Sequence, residues 1–280
     1  MREITAGQVT SLVKSLALKA NTVIGADILQ ALNESRGQEE SPLGREVIDC
    51  LLENAGLARE KGVPLCQDTG MAVVFVNLGQ DIRISGGGLG EAIEEGIRQA
   101  YEEGYFRKSI VRDPFDRVNT GDNTPAVIHY DLVPGAELEI TVAPKGFGSE
   151  NMSALKMLKP ADGLEGVKRF ILETVERAGA NPCPPIIVGV GVGGTMEKAA
   201  FLAKKALLRP VDARHPREQI AALEQEVLDR VNRLGIGPQG FGGTVTALAV
   251  NFEVYPTHIA GLPVAVNIAC HANRHAAGRL

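Results

Sequence analysis

The sequence has no excess of positive charge. Against 34 Asp and Glu it sets 29 Lys and Arg, for a net charge of −5, so a general affinity for nucleic acid has no electrostatic support. It has no apolar run approaching the ~20 residues of a membrane span. Its N-terminus, "MREITAGQVTSLVKSLALKA", interleaves charges with apolar positions and so does not read as a secretory signal. The cytoplasm is the default expectation. No internal repeat, low-complexity tract or linker stands out. Cysteine is scarce: there are four, and no two form a CxxC pair, so spacing gives no zinc-ribbon or finger signal. In a reducing compartment each thiol is then either core or chemistry.

What is present is an ordinary globular composition, 44% apolar and 22% charged over 280 residues, with ample material for a core. Apolar positions at helical spacing occur at Ile48, Leu51, Leu52 and Ala55, at Leu164, Val167, Ile171 and Val175, and at Ile220, Leu223, Val227 and Val231, which predicts three helices. Asp162 followed by Glu165 suggests a capping box for the second. "MAVVFVNL" and "PPIIVGVGV" are continuous apolar runs, the pattern of strands covered on both faces. "AVIHYDLV", Pro134-Gly135 and "AELEITVAP" read as a hairpin. Leu248, Val250, Phe252 and Val254 alternate as in a half-buried strand, and "PVAVNIA" is a last short strand. The expected architecture is one compact α/β domain over residues 1–280, a mixed sheet with flanking helices.

Three of the four thiols keep unusual company. Cys66 opens "CQDTG" at a loop-to-strand junction, beside Gln67 and Asp68. Cys183 lies between two prolines in "NPCPPIIVG", which bar a regular helix and favour extended backbone. Cys270 ends a strand in "NIACHANRH". Cys50 falls beside the Leu51 stripe and reads as a small buried hydrophobe. Three thiolates from distant segments could hold an iron–sulfur cluster with one iron unligated, or zinc with an open position. "GVGVGGTMEKAA" satisfies GxGxxG through Gly189, Gly191 and Gly194, with Asp212 further on. A dinucleotide turn or an anion site at a helix N-terminus are its two readings. "KGFGSENMS" is either a turn or a loop of N–H groups facing a carboxylate. Arg107, Arg112 and Arg117 share one polar stretch, and arginine suits bidentate carboxylate binding. His258 is either a satisfied hydrogen-bonder or a proton-carrying group near Cys270.

Together "CQDTG", "NTGDNTPAVIH", "GSENMS", "CPPIIVGVGVGGT", "THIAGLPVAVN" and "CHANRH" resemble the class I fumarate hydratases, in particular the alpha subunit of their two-subunit form. The L-tartrate dehydratase alpha subunit is of the same family. The resemblance runs from about residue 5 to the C-terminus. It implies a 4Fe–4S cluster on Cys66, Cys183 and Cys270, with Cys50 matching no ligand. It implies substrate contacts at Gln67, Asp68, Arg107 and Gly148, and catalytic roles for Asp68, which would accept or relay a proton, and for His258, near the ligand. The implied activity is a hydro-lyase interconverting malate with fumarate and water, the unligated iron acting on the 2-hydroxyl. The alternatives are L-tartrate dehydration and, more remotely, a nucleotide-binding oxidoreductase domain. A separate beta subunit is expected to complete the site, as a hetero-oligomer without nucleic acid or membrane partners. An exposed iron would make the assembled enzyme oxygen-sensitive.

Overall fold

The computed structural model describes all residues, Met1–Leu280. The chain is mixed α/β, as expected. Where the sequence suggested one mixed sheet, there are two four-stranded mixed sheets and a two-stranded ladder. The two long apolar runs each sit inside a separate sheet and take partners on both sides. Contacts group into two compact units: Met1–Gly25 with Asn54–Phe147 and Arg274–Leu280, and Ala26–Glu53 with Gly148–Asn273.

In the first unit β1 (Arg2–Thr5) pairs in parallel with β3 (Ile82–Ser85). Helix α1 (Ala6–Thr22) starts at a capping box in which Thr5 and Gln8 bond reciprocally, satisfying N–H groups the helix cannot. The main sheet has β2 (Met71–Gly79) between β4 (Val127–Val133) and β5 (Leu138–Lys145), with β10 (Ala276–Arg279) outside β5. Val9, Val13 and Leu16 of α1 and Ile93 and Ile97 of α4 (Leu89–Glu103) form one core with Val74, Val76, Leu138, Ile140 and Val142.

The expected hairpin is absent. β4 and β5 do run in opposite directions, but β2 lies between them, parallel to β4 and antiparallel to β5. The Pro134-Gly135 turn passes over the end of β2, where Gly79, Gln80 and Asp81 N–H groups bond to Glu137, Val133 and Gly135 carbonyls. The central place goes to the strand with the longest apolar run, but only its Ala72, Val74 and Val76 face lies in the core; Phe75 and Asn77 on the other face are half-buried, so the double coverage the run suggested is not seen here.

The second unit contains α2 (Ala26–Gln38), the part of α3 (Pro42–Lys61) up to Glu53, most of the single turn α5 (Phe147–Glu150), β6 (Ala154–Leu158), α6 (Gly163–Ala178), β7 (Ile186–Gly194), α7 (Met196–Ala206), α8 (Glu218–Asn232), β8 (Ala247–Thr257) and β9 (Leu262–Ala269). Its sheet runs β6-β9-β7-β8, with β7 parallel to β8 and antiparallel to β9. Val188 and Val190 face Val167, Ile171, Val227 and Val231 of α6 and α8, while α7 packs against β7 and β9. Double coverage explains why β7 reads as an unbroken apolar run. Asp162 does not cap α6: its carboxylate accepts from the Lys159 N–H at 2.7 Å, closing the short turn ahead of the helix. Cys50 is exposed rather than buried. It stands two residues, about 200°, round α3 from the buried Ile48.

The glycines of "GVGVGG" lie within β7, not in a turn. A methyl group built on Gly189 would stand 2.1 Å from the Ala203 carbonyl oxygen, and one on Gly191 2.0 Å from that of Ala199. These residues are small so that the backbone of α7 can lie directly on the strand. That accounts for the pattern without a phosphate. Because both obstacles are backbone atoms, Gly191→Ala must lift α7. It is expected to cost about 3 kcal/mol and to lower Tm by about 5–10 °C. A thermal melt unchanged from wild type would contradict this packing.

Candidate functional site

Within the first unit the "CQDTG" loop joins α3 to β2. Cys66 and Gln67 are exposed, Asp68 is half-buried, and Thr69 and Gly70 are buried. The buried end is pinned from several sides. The Tyr101 hydroxyl of α4 donates to the Thr69 carbonyl at 2.6 Å. Burial pushes the Tyr101 pKa up to about 12, so the phenol is a neutral donor at physiological pH. Asn123 Nδ2 donates to the Gly70 carbonyl at 3.1 Å, while its Oδ1 accepts from the Ser109 N–H at 2.7 Å. Gly70 has φ +73, and a Cβ there would lie 2.6 Å from the Lys145 carbonyl carbon, so only glycine lets the loop enter β2 here.

The Asp68 carboxylate is held at both oxygens. Oδ1 accepts from the Gly70 N–H at 3.0 Å and Oδ2 from the Phe147 N–H at 2.8 Å. A carboxylate offers about four lone-pair sites, so acceptor capacity remains for a ligand. Arg107 is exposed, and its carbonyl accepts from the Thr69 hydroxyl at 3.0 Å. Of the three candidate arginines it is therefore the one whose backbone is tied to the Asp68 loop. Arg112 and Arg117 are exposed on a stretch closed by the Val111–Asn119 bridge.

In the second unit β7 begins and β9 ends at one edge of the sheet, with Ile187 opposite Ala269. Cys183 lies three residues before β7 and Cys270 directly after β9, so both thiols leave the same end of adjacent strands. The segments are also bonded. His271 Nδ1 lies 3.1 Å from the Cys183 carbonyl oxygen, and the Gln239 backbone and side-chain N–H groups both donate to the Pro184 carbonyl at 2.8 Å. Cys183 departs from the extended backbone its following proline favours: it has φ +57, as Gln239 has φ +50. Two non-glycine residues in this sparsely populated region persist only because their surroundings over-determine them. Gly148 belongs to the same end. A Cβ on it would lie 3.8 Å from the Asn181 carbonyl oxygen, two residues before Cys183. The turn that carries Gly148 is fixed to the end of β9, for Asn267 Nδ2 donates to Glu150 Oε2 at 2.8 Å.

His258 is not part of this group. It is exposed just beyond the end of β8, whose Thr257 pairs with Gly194 at the far end of β7. At ~3.3 Å per residue the nine-residue strand separates it from Cys183 by roughly 25–30 Å. It lines instead an apolar pocket of about 450 Å³ with Leu164, Val192, Phe252 and Leu262.

All four cysteines are thiols, none in a disulfide. Cys66 belongs to the first unit, Cys183 and Cys270 to the second. No three His, Cys, Asp or Glu side chains are grouped tightly enough to hold a single ion. The donor set fits an iron–sulfur cluster in chemistry, being soft sulfur ligands at element ends: Cys66 and Cys183 are exposed and Cys270 partly so.

Two residues that sequence reasoning passed over hold these segments. Glu39, fully buried, accepts from the Thr244 N–H at 2.9 Å and the Val245 N–H at 2.8 Å, which anchors the chain after Gln239. Burial pushes the Glu39 pKa up, but N–H donors from Ser41, Thr244 and Val245 outweigh it, and the net shift is downward. Arg274, also buried, donates to the Asp68 carbonyl. Each partner is far away in sequence, so no local signal could have found them.

At this level the chain is a mixed α/β protein that presents thiols at strand ends and a carboxylate fixed by backbone N–H groups. Residues 10–279 match the family model described as fumarate hydratase (Fumerase). The chain is 45% identical over 279 residues, 98% of each chain, to a Methanocaldococcus jannaschii protein named "Putative L(+)-tartrate dehydratase subunit alpha". It is 34% identical over 276 residues, 95% of this chain and 89% of the other, to the L(+)-tartrate dehydratase subunit alpha of Escherichia coli K12. The same figures hold for that of Shigella sonnei. The chain thus belongs to the fumarate hydratase family, a family of hydro-lyases. No helix is long and apolar enough to cross a membrane.

Proposed function

We propose that this chain is the alpha subunit of an iron–sulfur hydro-lyase acting on a four-carbon 2-hydroxy dicarboxylate, with L-tartrate favoured over malate. The observation that carries the reading is 45% and 34% identity, over nearly the full length of the chain, to alpha subunits named for L(+)-tartrate. The malate reading suggested by the sequence becomes the second one, supported by the family description. The nucleotide reading loses its motif, since the glycines serve helix packing.

Cys66, Cys183 and Cys270 would hold a 4Fe–4S cluster. Bound there, such a cluster would supply a Lewis-acidic iron with an open position for the departing hydroxyl. Gln67, Arg107 and the backbone at Gly148 would bind the carboxylates, the arginine as a charge-assisted donor. Asp68 would accept or relay the proton lost from the carbon beside a carboxylate. Its two N–H partners fix the carboxylate before substrate arrives, so orientation is built in. His258 is given no role at this site, since it stands at the other end of its sheet from Cys183 and Cys270. A beta subunit, in keeping with the relatives' names, would close the site.

Loss of water from a 2,3-dihydroxy acid leaves an enol that becomes a 2-oxo acid, whereas malate gives an alkene. The decisive experiment is therefore an anaerobic assay of the chain, reconstituted with iron and sulfide and combined with the beta subunit, on both substrates.

A further inference from the structure

We propose that Arg274 is a positioning residue for Asp68, clamping the 66–70 loop to the end of β5 so that the carboxylate stays on its two amide partners. Arg274 is only 5% exposed. Its Nη2 donates to the Asp68 carbonyl and its Nε to the Pro144 carbonyl at 3.4 Å. Its Nη1 is buried with no hydrogen-bond partner. Its hydrogen bonds go only to two neutral carbonyls and one nitrogen has none, so hydrogen bonding repays little of the cost of burying the cation. An apolar side chain of the same volume would do at least as well if packing were the whole purpose. What the guanidinium alone provides is a rigid fork that spans two backbone segments at once. Those segments carry the two sides of the carboxylate's cradle: Asp68 and Gly70 on one, Phe147 just past the other. Arg274 and the carboxylate also flank one small space. A Cβ on Gly146 would lie 3.3 Å from Asp68 Oδ2 and 4.0 Å from Arg274 Nη2.

The clamp follows from contacts within the first unit; only the chemical importance of Asp68 rests on the function proposed above. Hydrogen exchange of the full chain tests the clamp without any activity. The Gly70 and Phe147 amides, both held by Asp68, report on it directly. Arg274→Met is expected to speed their exchange about tenfold while Val74 and Val142 in the core strands stay protected. Arg274→Lys, which keeps the charge but not the fork, should show part of the same local loosening. It decides the matter if the methionine variant does not fold. Unchanged exchange at Gly70 and Phe147, or uniform acceleration through the core strands, would overturn the positioning role. In the assembled enzyme Arg274→Lys should lower kcat and leave KM nearly unchanged; a change in KM alone would also overturn it. If the wild-type assembly dehydrates neither L-tartrate nor malate, the proposed function fails, while the exchange data still decide the role of Arg274.

Discussion

Replacing Cys66, Cys183 or Cys270 by alanine, one at a time, is expected to remove bound iron and sulfide from the anaerobically assembled protein and to bring dehydration of L-tartrate to background. Cys50→Ala should change neither. The contrast follows from position. Cys50 is on the exposed side of a helix, with no strand end or glycine turn beside it, whereas Cys183 and Cys270 leave adjacent strands at one edge and Cys66 opens a loop whose far end is pinned. A cluster held by only three thiolates has none to spare. Removing one leaves two irons without protein ligands, and iron should fall from about four per chain toward zero. Elemental analysis with the visible absorption of the cluster reads this result independently of turnover. A Cys183→Ala protein with a full, normal cluster would remove that residue from the ligand set.

Asp68→Asn is expected to lower kcat by about 10²–10⁴-fold, the range associated with a positioned proton-transfer group, while iron content stays at the wild-type level. The structure makes this more than a charge effect. Both carboxylate oxygens accept N–H hydrogen bonds, from Gly70 and Phe147, and an amide can accept at only one. Its NH2 must face the other N–H or turn away, at a cost of about 1–3 kcal/mol for the donor left unmatched. The substituted side chain is therefore both uncharged and displaced. Loss of the cluster together with activity would mean that Asp68 shapes the loop around Cys66 rather than serving the reaction. Near wild-type kcat would remove it from the chemistry.

The parts of this fold that could be read from the sequence are those governed by local periodicity. β7 is visible as an apolar run because it is covered on both faces, β2 as an apolar run with one face in the core, and α6 and α8 through their stripes. The misreadings share one cause, which is that the partner is distant in sequence. β4 and β5 look like a hairpin because a Pro-Gly turn joins them, yet β2, some fifty residues earlier, takes the place between them. Gly189 and Gly191 look like a nucleotide turn because the helix carbonyls that need their missing side chains are not visible in the string. Of the candidate site, the "CQDTG" segment and the two strand-end cysteines were legible as thiols in polar company at element ends. For His258, twelve residues of sequence separation from Cys270 say nothing about distance, because a strand carries the chain to the other end of a sheet. Arg274 and Glu39 act on backbone groups far along the chain, and a buried charge of that kind has no sequence signature.

The most direct measurement is a matched pair of assays on one preparation: the chain reconstituted anaerobically with iron and sulfide, combined with its beta subunit, and offered L-tartrate or malate at equal concentration. Formation of a 2-oxo acid from L-tartrate faster than fumarate forms from malate, both lost when the iron is removed with a chelator, is the predicted result. A preparation that retains its full cluster and beta subunit yet releases water from neither acid would contradict the assignment of this chain as a hydro-lyase subunit.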